Sequence, residues 1–263
     1  MEHCCRPIGV FDSGMGGLSV WREIVKLMPA ESVIYYGDGK NCPYGDRSQT
    51  DVIKFVQEAV DLFIERDCKA IVLACNAATA MSVDYLRHKY PDRIFVGMEP
   101  AVKPAALNSQ SGVIGILATK ATLEGSLFKE TSMKFAHNAK ILSCVGDGFV
   151  ELVEQGNENS QMAFDIISKC VEPMLQQGAD HIVLGCTHYP FLAETISRVI
   201  GDRNVKIVDP APAIALRTKS LLEQKGWLAN KDNKCEYLFC SAADESYKAK
   251  LKQKALLLID KYL

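Results

Sequence analysis

The chain lacks a Cys-x-x-Cys pair, although ten of its 263 residues are cysteine. That spacing is typical of zinc sites and thioredoxin-like redox centres, so its absence argues against both classes. The nearest metal-like spacing, Cys186-x-His188, has no second pair with ligand-like spacing. The cysteines are scattered through a mid-sized chain without an export signal, which favours reduced thiols over a disulfide framework. We therefore predict no metal site.

An excess of positive charge and a long apolar run are also absent. The formal net charge is −2 and the isoelectric point is near 6.2, so the basic stripe that binds phosphate backbones is missing. No apolar run is long enough to span a bilayer. The residues before Ile8 do not resemble a secretory leader. We predict a cytoplasmic protein that binds neither nucleic acid nor membrane.

Short apolar runs alternate with helical patterns along the chain, which predicts an α/β fold with mostly parallel sheets. Most of these runs are β-branched and apolar throughout, as strands buried on both faces must be. The helical pattern from Val52 to Phe63 keeps the three-to-four spacing of one buried stripe. The predicted strands are Ile8–Phe11, Val33–Tyr36, Ala70–Ala74, Ile94–Gly97, Val113–Leu117, Lys140–Ser143, His181–Gly185 and Lys206–Val208.

Two of these strands end alike, on Cys75 and on Cys186, 111 residues apart. That offset suits one half of a duplicated domain. The opening strands of the two halves resemble each other as well, at an offset of 106 residues. Proline-containing segments mark the crossings between the halves. The predicted lobes are residues 1–98 with 210–263, and residues 99–209.

Cys75 and Cys186 are the strongest candidates for chemistry. Cys75 precedes a good helix opening, where unpaired backbone N–H groups favour a thiolate. Cys186 is followed by His188 and by Pro190 at a favoured first helical position. A free cysteine has a pKa of about 8.5, so modest stabilisation lets such a thiol exchange protons near neutrality. We interpret the following cysteines as small hydrophobic residues: Cys4, Cys68, Cys144, Cys170, Cys235 and Cys240.

Two loops with glycines follow predicted strands. Residues 12–18, Asp-Ser-Gly-Met-Gly-Gly-Leu, are neither a dinucleotide fingerprint nor a P-loop. They can cradle an anion with backbone N–H groups, or Asp12 or Ser13 can simply cap the next helix. Residues 37–45 form the second loop, at the sheet edge where ligands are expected.

Four motifs, taken in order and spacing, resemble the cofactor-independent aspartate/glutamate racemase family. They are GVFDSGMGGLSV, YYGDGKNCPYGDRS, VLACNAATA and VLGCTHYPFL, and they span Gly9 to Leu192. The resemblance implies a pseudo-twofold pair of α/β lobes with the active site in the cleft between them. It implies no cofactor, and it makes Cys75 and Cys186 the two acid/base catalysts.

The resemblance also implies the rest of the site. Asp12, Glu154 and His188 are expected to assist catalysis by orienting or polarising the thiols and the substrate ammonium. The residues expected to line the substrate site are Asp12, Ser13, Asp38, Pro43, Tyr44, Gly45, Asn76, Ala77, Thr187 and His188. Asp38 and Glu154 match carboxylates that the family places close to the thiols. Ala77 departs from the usual threonine, so a side-chain hydroxyl is missing there.

The expected activity is interconversion of L- and D-glutamate, supplying D-glutamate for peptidoglycan synthesis. Aspartate or related amino-acid racemisation remains an alternative, because composition cannot measure the length of a pocket. A two-lobed binding protein without catalysis is a second alternative, but it leaves the paired cysteines unexplained. A thiol redox or metal protein is a third. The expected partner is the small-molecule substrate, and self-association as a homodimer stays open.

Overall fold

The computed structural model describes residues 4–135 and 137–262, and the chain divides into two compact units. Unit 1 comprises Met1–Met98 and Ala211–Leu263, and unit 2 comprises Glu99–Pro210. Each unit contains a parallel sheet flanked by helices. The α/β class predicted from the alternating pattern is therefore confirmed.

Unit 1 has a five-stranded sheet in the order β4-β3-β1-β2-β9, with every neighbouring pair parallel. Its strands are β1 (Ile8–Asp12), β2 (Val33–Gly37), β3 (Ala70–Leu73), β4 (Phe95–Gly97) and β9 (Tyr237–Cys240). Its helices are α1 (Leu18–Leu27), α2 (Gln49–Glu65), α3 (Asn76–Lys89), α10 (Ala211–Lys225) and α11 (Glu245–Tyr262). Strands β1 and β3 are buried along their whole length, which explains why β3 is apolar throughout and β1 is apolar as far as Asp12.

Unit 2 has a four-stranded sheet in the order β6-β5-β7-β8, again parallel throughout. Its strands are β5 (Val113–Ala118), β6 (Lys140–Val145), β7 (His181–Gly185) and β8 (Lys206–Val208). Its helices are α4 (Val102–Asn108), α5 (Lys120–Glu124), α6 (Ser126–Phe135), α7 (Phe149–Gln155), α8 (Gln161–Gln176) and α9 (Ala193–Ile200), with a 3₁₀ helix η1 (Tyr189–Leu192).

The duplication seen in the sequence recurs in the strand order. In each unit the opening strand, β1 or β5, lies beside the strand that precedes a candidate cysteine, β3 or β7. The remaining neighbours also correspond, since β4-β3-β1-β2 matches β8-β7-β5-β6. Equivalent topology places the carboxyl ends of β3 and β7 at equivalent positions in their own sheets.

All eight strands predicted from the sequence are present, but β9 was missed. Its residues are half-buried or exposed at the sheet edge, so the continuous apolar signature of a central strand is weak there. The prediction of reduced thiols is wrong for Cys144 and Cys170, which form a disulfide with their Cα atoms 5.8 Å apart. The contact between β6 and α8 brings these cysteines together. Spacing along the chain gave no sign of it.

Candidate active site

The carboxyl ends of the central strands carry the residues that the motifs singled out. In unit 1, Asp12 on β1 is in register with Gly37 on β2, and Phe11 is in register with Leu73 on β3. Asp12, Asp38 and Cys75 therefore leave the sheet at the same edge. In parallel α/β sheets this edge is where ligands bind.

Cys75 caps the N-terminus of α3, as its sequence predicted. Its side chain is 6 % exposed, and its sulfur accepts a hydrogen bond from the backbone N–H of Ala78 at 3.4 Å. The thiol donates to the Ser13 hydroxyl at 3.5 Å. The positive end of the helix dipole and the Ala78 N–H both favour negative charge on sulfur, so this position supports a thiolate.

Asn76 and Ala77 form the first turn of α3 and are each 3 % exposed. Among the described residues, neither Oδ1 nor Nδ2 of Asn76 has a hydrogen-bond partner. Buried polar groups are nearly always paired, and an unpaired amide next to a candidate catalytic thiol points to a bound ligand. This side chain can offer a substrate one donor and one acceptor.

Asp12 does not cap the helix that follows it, so that interpretation of the first glycine loop is wrong, and it is wrong for Ser13 too. Helix α1 begins five residues beyond Ser13 and has Gly17 at its N-cap, with no side-chain cap hydrogen bond. Asp12 is fully buried and accepts instead from the Gly14 N–H at 3.0 Å. The intervening glycine turn holds both polar side chains at the sheet edge.

The loop after β2 brings Asp38 and Tyr44 together. The Tyr44 hydroxyl donates to Asp38 Oδ2 at 2.6 Å, and Asn41 Nδ2 donates to the same oxygen at 3.0 Å. Tyr44 is buried against the rings of Phe11 and Phe55. Its burial, and then the charge of Asp38, raise the pKa of Tyr44 far above its usual value, so the phenol stays protonated.

Pro43 and Gly45 lie in the same loop, and both are half-buried. The peptide bond between Cys42 and Pro43 is cis. Asn41 was not singled out by the sequence. The signal that could have found it is its position three residues after Asp38 in a turn-rich segment, where an amide commonly bonds a nearby carboxylate.

In unit 2, Cys186 and His188 follow β7 and are 7 % and 1 % exposed. The Cys186 sulfur lies 3.8 Å from His188 Nδ1, and His188 Nε2 lies 2.7 Å from Glu154 Oε1. A carboxylate at Nε2 favours the tautomer with its proton on that nitrogen, because the resulting hydrogen bond is charge-assisted. The Nδ1 lone pair can then accept the thiol proton. The arrangement forms a chain from carboxylate through imidazole to sulfur.

Helix α7, which carries Glu154, packs against η1. Tyr189 lies edge-on to Phe149 with ring centroids 5.1 Å apart. Its burial, and then the charge of the Cys186 thiolate, raise the pKa of Tyr189 well above the usual value. Thr187, between Cys186 and His188 in the sequence, is 1 % exposed. Unit 2 thus brings together the residues predicted around Cys186, and unit 1 does so around Cys75.

Comparison with known proteins matches this arrangement to one family. The family model described as Asp/Glu/Hydantoin racemase matches residues 8–218. The chain belongs to the Asp/Glu/Hydantoin racemase family. Helix α11 and strand β9 lie beyond the matched part of this racemase chain.

Individual relatives agree with the family match. A glutamate racemase from Herpetosiphon aurantiacus is 41 % identical over 248 residues, covering 94 % of this chain and 97 % of its own. The crystal structure of Escherichia coli glutamate racemase in complex with L-glutamate and activator UDP-MurNAc-Ala matches with a TM-score of 0.83 and 34 % identity, covering 95 % of both chains. Glutamate racemase isoform RacE1 from Bacillus anthracis matches with a TM-score of 0.85 and 29 % identity, covering 97 % of this chain and 95 % of its own.

Within residues 4–135 and 137–262, no helix combines the length and the apolar character needed to cross a membrane.

Proposed function

We propose that this racemase interconverts L- and D-glutamate without a cofactor, using Cys75 and Cys186 as its two proton-transfer groups. The observation that carries the proposal is the pair of thiols at equivalent strand ends, one in each unit. Full-length glutamate racemases at about 40 % identity support glutamate as the substrate.

The reaction explains the need for two thiols. One thiolate removes the proton from the α-carbon, and the electron pair left behind spreads into the α-carboxylate. The second group, a thiol, then delivers a proton to the opposite face, and the first sulfur keeps the proton that it removed. One residue cannot easily serve both faces. The cysteines exchange roles when the other enantiomer is the substrate, and they titrate as a coupled pair.

Hydrogen-bond donors at the carboxyl ends of the strands are proposed to hold the substrate. The Asn76 amide and the backbone N–H groups at the start of α3 suit a carboxylate whose negative charge grows as the carbanion forms. Next to the other thiol, Cys186, the Thr187 hydroxyl is a further donor. Ala77 offers only its backbone here, and the missing hydroxyl costs on the order of 1 kcal/mol of binding unless water substitutes.

The acidic residues are proposed to assist rather than to react. Glu154 orients His188, which accepts the proton of Cys186 and so supplies a thiolate. Asp12 and Asp38 provide negative charge that suits the substrate ammonium, and Tyr44 keeps Asp38 in place. These roles follow the resemblance to the family and agree with the hydrogen bonds inside each unit.

D-Glutamate produced in this way is proposed to serve peptidoglycan synthesis. A cytoplasmic location remains a prediction of the sequence, and the sequence leaves self-association as a homodimer open.

The deciding experiment is incubation of the pure protein with L-glutamate in heavy water without pyridoxal phosphate. We expect optical rotation to decay to zero while deuterium enters the α-position. Cys75→Ala and Cys186→Ala should each abolish racemisation, so that the optical rotation no longer decays. Cys68→Ala is the matched control, because Cys68 is buried at the opposite end of β3 and burial, followed by the charge of Asp67, raises its pKa to about 12. Folded wild-type protein that changes neither signal would refute the proposed activity, and normal turnover in either catalytic variant would remove that cysteine from the pair.

A further inference from the structure

The loop that presents Asp38 rests on an aromatic ring from the C-terminal helix. Gly39, directly after Asp38, lies so close to the ring of Tyr247 that a Cβ on residue 39 would overlap the ring carbons. Real side chains do not tolerate such an approach, so glycine and the ring are matched in shape. A larger residue at position 39, or loss of the ring at position 247, must therefore change how the loop packs against the helix.

Tyr247 is itself fixed by ordered structure. It lies in the first turn of α11, where its N–H donates to Asp244 Oδ1 at 2.9 Å. One and two turns further on, Leu251 and Ala255 are fully buried and attach the helix to the rest of unit 1. Helix α11 contacts α1 and β9. The helix that carries the ring is therefore anchored in unit 1 on the side that contacts the loop.

The loop transmits this support to the thiol. Asp38 accepts hydrogen bonds from Tyr44 and Asn41, and its own N–H donates to the Asp12 carbonyl at 2.9 Å. The Tyr44 phenol is close enough to the Cys75 thiol for the two groups to influence each other electrostatically. A shift at Gly39 thus moves its neighbour Asp38, and the hydrogen bond from Tyr44 to Asp38 passes the shift on to the groups around Cys75.

We propose that Tyr247 is a positioning residue for the reaction, acting through Gly39 on Asp38 and Tyr44. The inference rests on the proposed function in that it assumes these two residues belong to the glutamate site. The support comes from α11, outside the residues that the family model matches. The C-terminal segment therefore sets the geometry of a loop that the family motif supplies.

The test is a double-mutant cycle at the contact. In Tyr247→Ala we expect the binding groups to shift by a fraction of an ångström and kcat/KM to fall about tenfold. Most of the change should be in KM, because the loop holds the substrate. Gly39→Ala should have a comparable effect, because its methyl group overlaps the ring. The double variant should recover much of the loss, since the methyl group then occupies space that the ring has left. Tyr247→Phe keeps the ring and should stay close to wild type.

Controls separate positioning from general destabilisation. Leu257→Ala, on the exposed face of the same helix, should leave KM and kcat unchanged. Thermal unfolding midpoints show whether each variant is folded; if Tyr247→Ala does not fold, Gly39→Ala and the double variant carry the test. Additive losses in the cycle, or wild-type KM in folded Tyr247→Ala, would overturn the inference.

A measurement that does not depend on turnover distinguishes failure of the positioning role from failure of the proposed function. The rate of iodoacetamide labelling at Cys75, followed by peptide mass spectrometry, should change in Tyr247→Ala and return toward wild type in the double variant. This pattern without racemase activity would reject the function and keep the positioning role. If wild-type protein racemises glutamate but Tyr247→Ala has unchanged labelling and unchanged KM, the function is kept and the positioning role is rejected.

Discussion

Glu154→Gln tests how much the carboxylate–imidazole–thiol chain contributes to catalysis. Glu154 bonds His188 Nε2 at 2.7 Å, with exposed side-chain fractions of 18 % and 1 %. An amide at this position still accepts the N–H, so the change removes the charge while keeping the shape. Charge-assisted hydrogen bonds exceed neutral ones by about 1 to 2 kcal/mol. At 1.36 kcal/mol per factor of ten, kcat/KM should fall about five- to thirty-fold.

The assay uses both enantiomers. L- and D-glutamate have equal free energies, so kcat/KM must fall equally in the two directions. The asymmetry should appear in the isotope effect from α-deuterium, because a weakened Cys186 base makes proton abstraction slower for the one enantiomer that it deprotonates. The isotope effect should therefore rise for that enantiomer more than for the other.

Glu151→Gln is the matched control, since Glu151 is exposed on the same helix as Glu154. It should leave kcat/KM within about twofold of wild type, as surface substitutions usually do. A folded Glu154→Gln variant with wild-type kcat/KM and unchanged isotope effects would refute the role assigned to the chain.

Two further predictions concern stability. Lys69→Met should lower the free energy of unfolding by about 3 to 5 kcal/mol in urea titrations, because it leaves the buried Glu31 carboxylate without its ion pair. Glu31→Gln should cost clearly less, because the Lys69 ammonium keeps the carbonyl oxygens of Cys4 and Trp227 as acceptors. Equal costs would contradict the explanation. For Asp180, burial acts to raise the pKa, but hydrogen bonds from His181, Ser111, Ser109 and Gln110 outweigh it and hold the pKa well below its usual value. The unfolded chain then takes up the proton first, so this stabilisation is complete above about pH 5 and is lost as the pH falls through about 4 toward the folded pKa. Asp180→Asn should reduce that acid dependence, and an unchanged slope of urea midpoint against pH would disprove the linkage.

Local signals were sufficient for most of the fold. A strand that is buried on both faces, such as β3, is apolar along its whole length, so its position could be read from a short window. The start of α3 at Cys75 was equally local, because a helix opening follows directly. Strand β9 was not predicted because it is only partly buried. Its formation depends on pairing with β2, which is distant in sequence.

The motifs determined which residues belong to the candidate site, and only the tertiary structure decided how those residues interact. Cys75 and Cys186 were predicted from their strand-end positions. The bond from His188 to Glu154 and the ring of Tyr247 against Gly39 depend on contacts between elements that are distant in the chain. The same holds for the disulfide between Cys144 and Cys170. Strand identity is set by residues next to each other in the chain, whereas these contacts join residues whose separation in sequence contains no information about their distance in space.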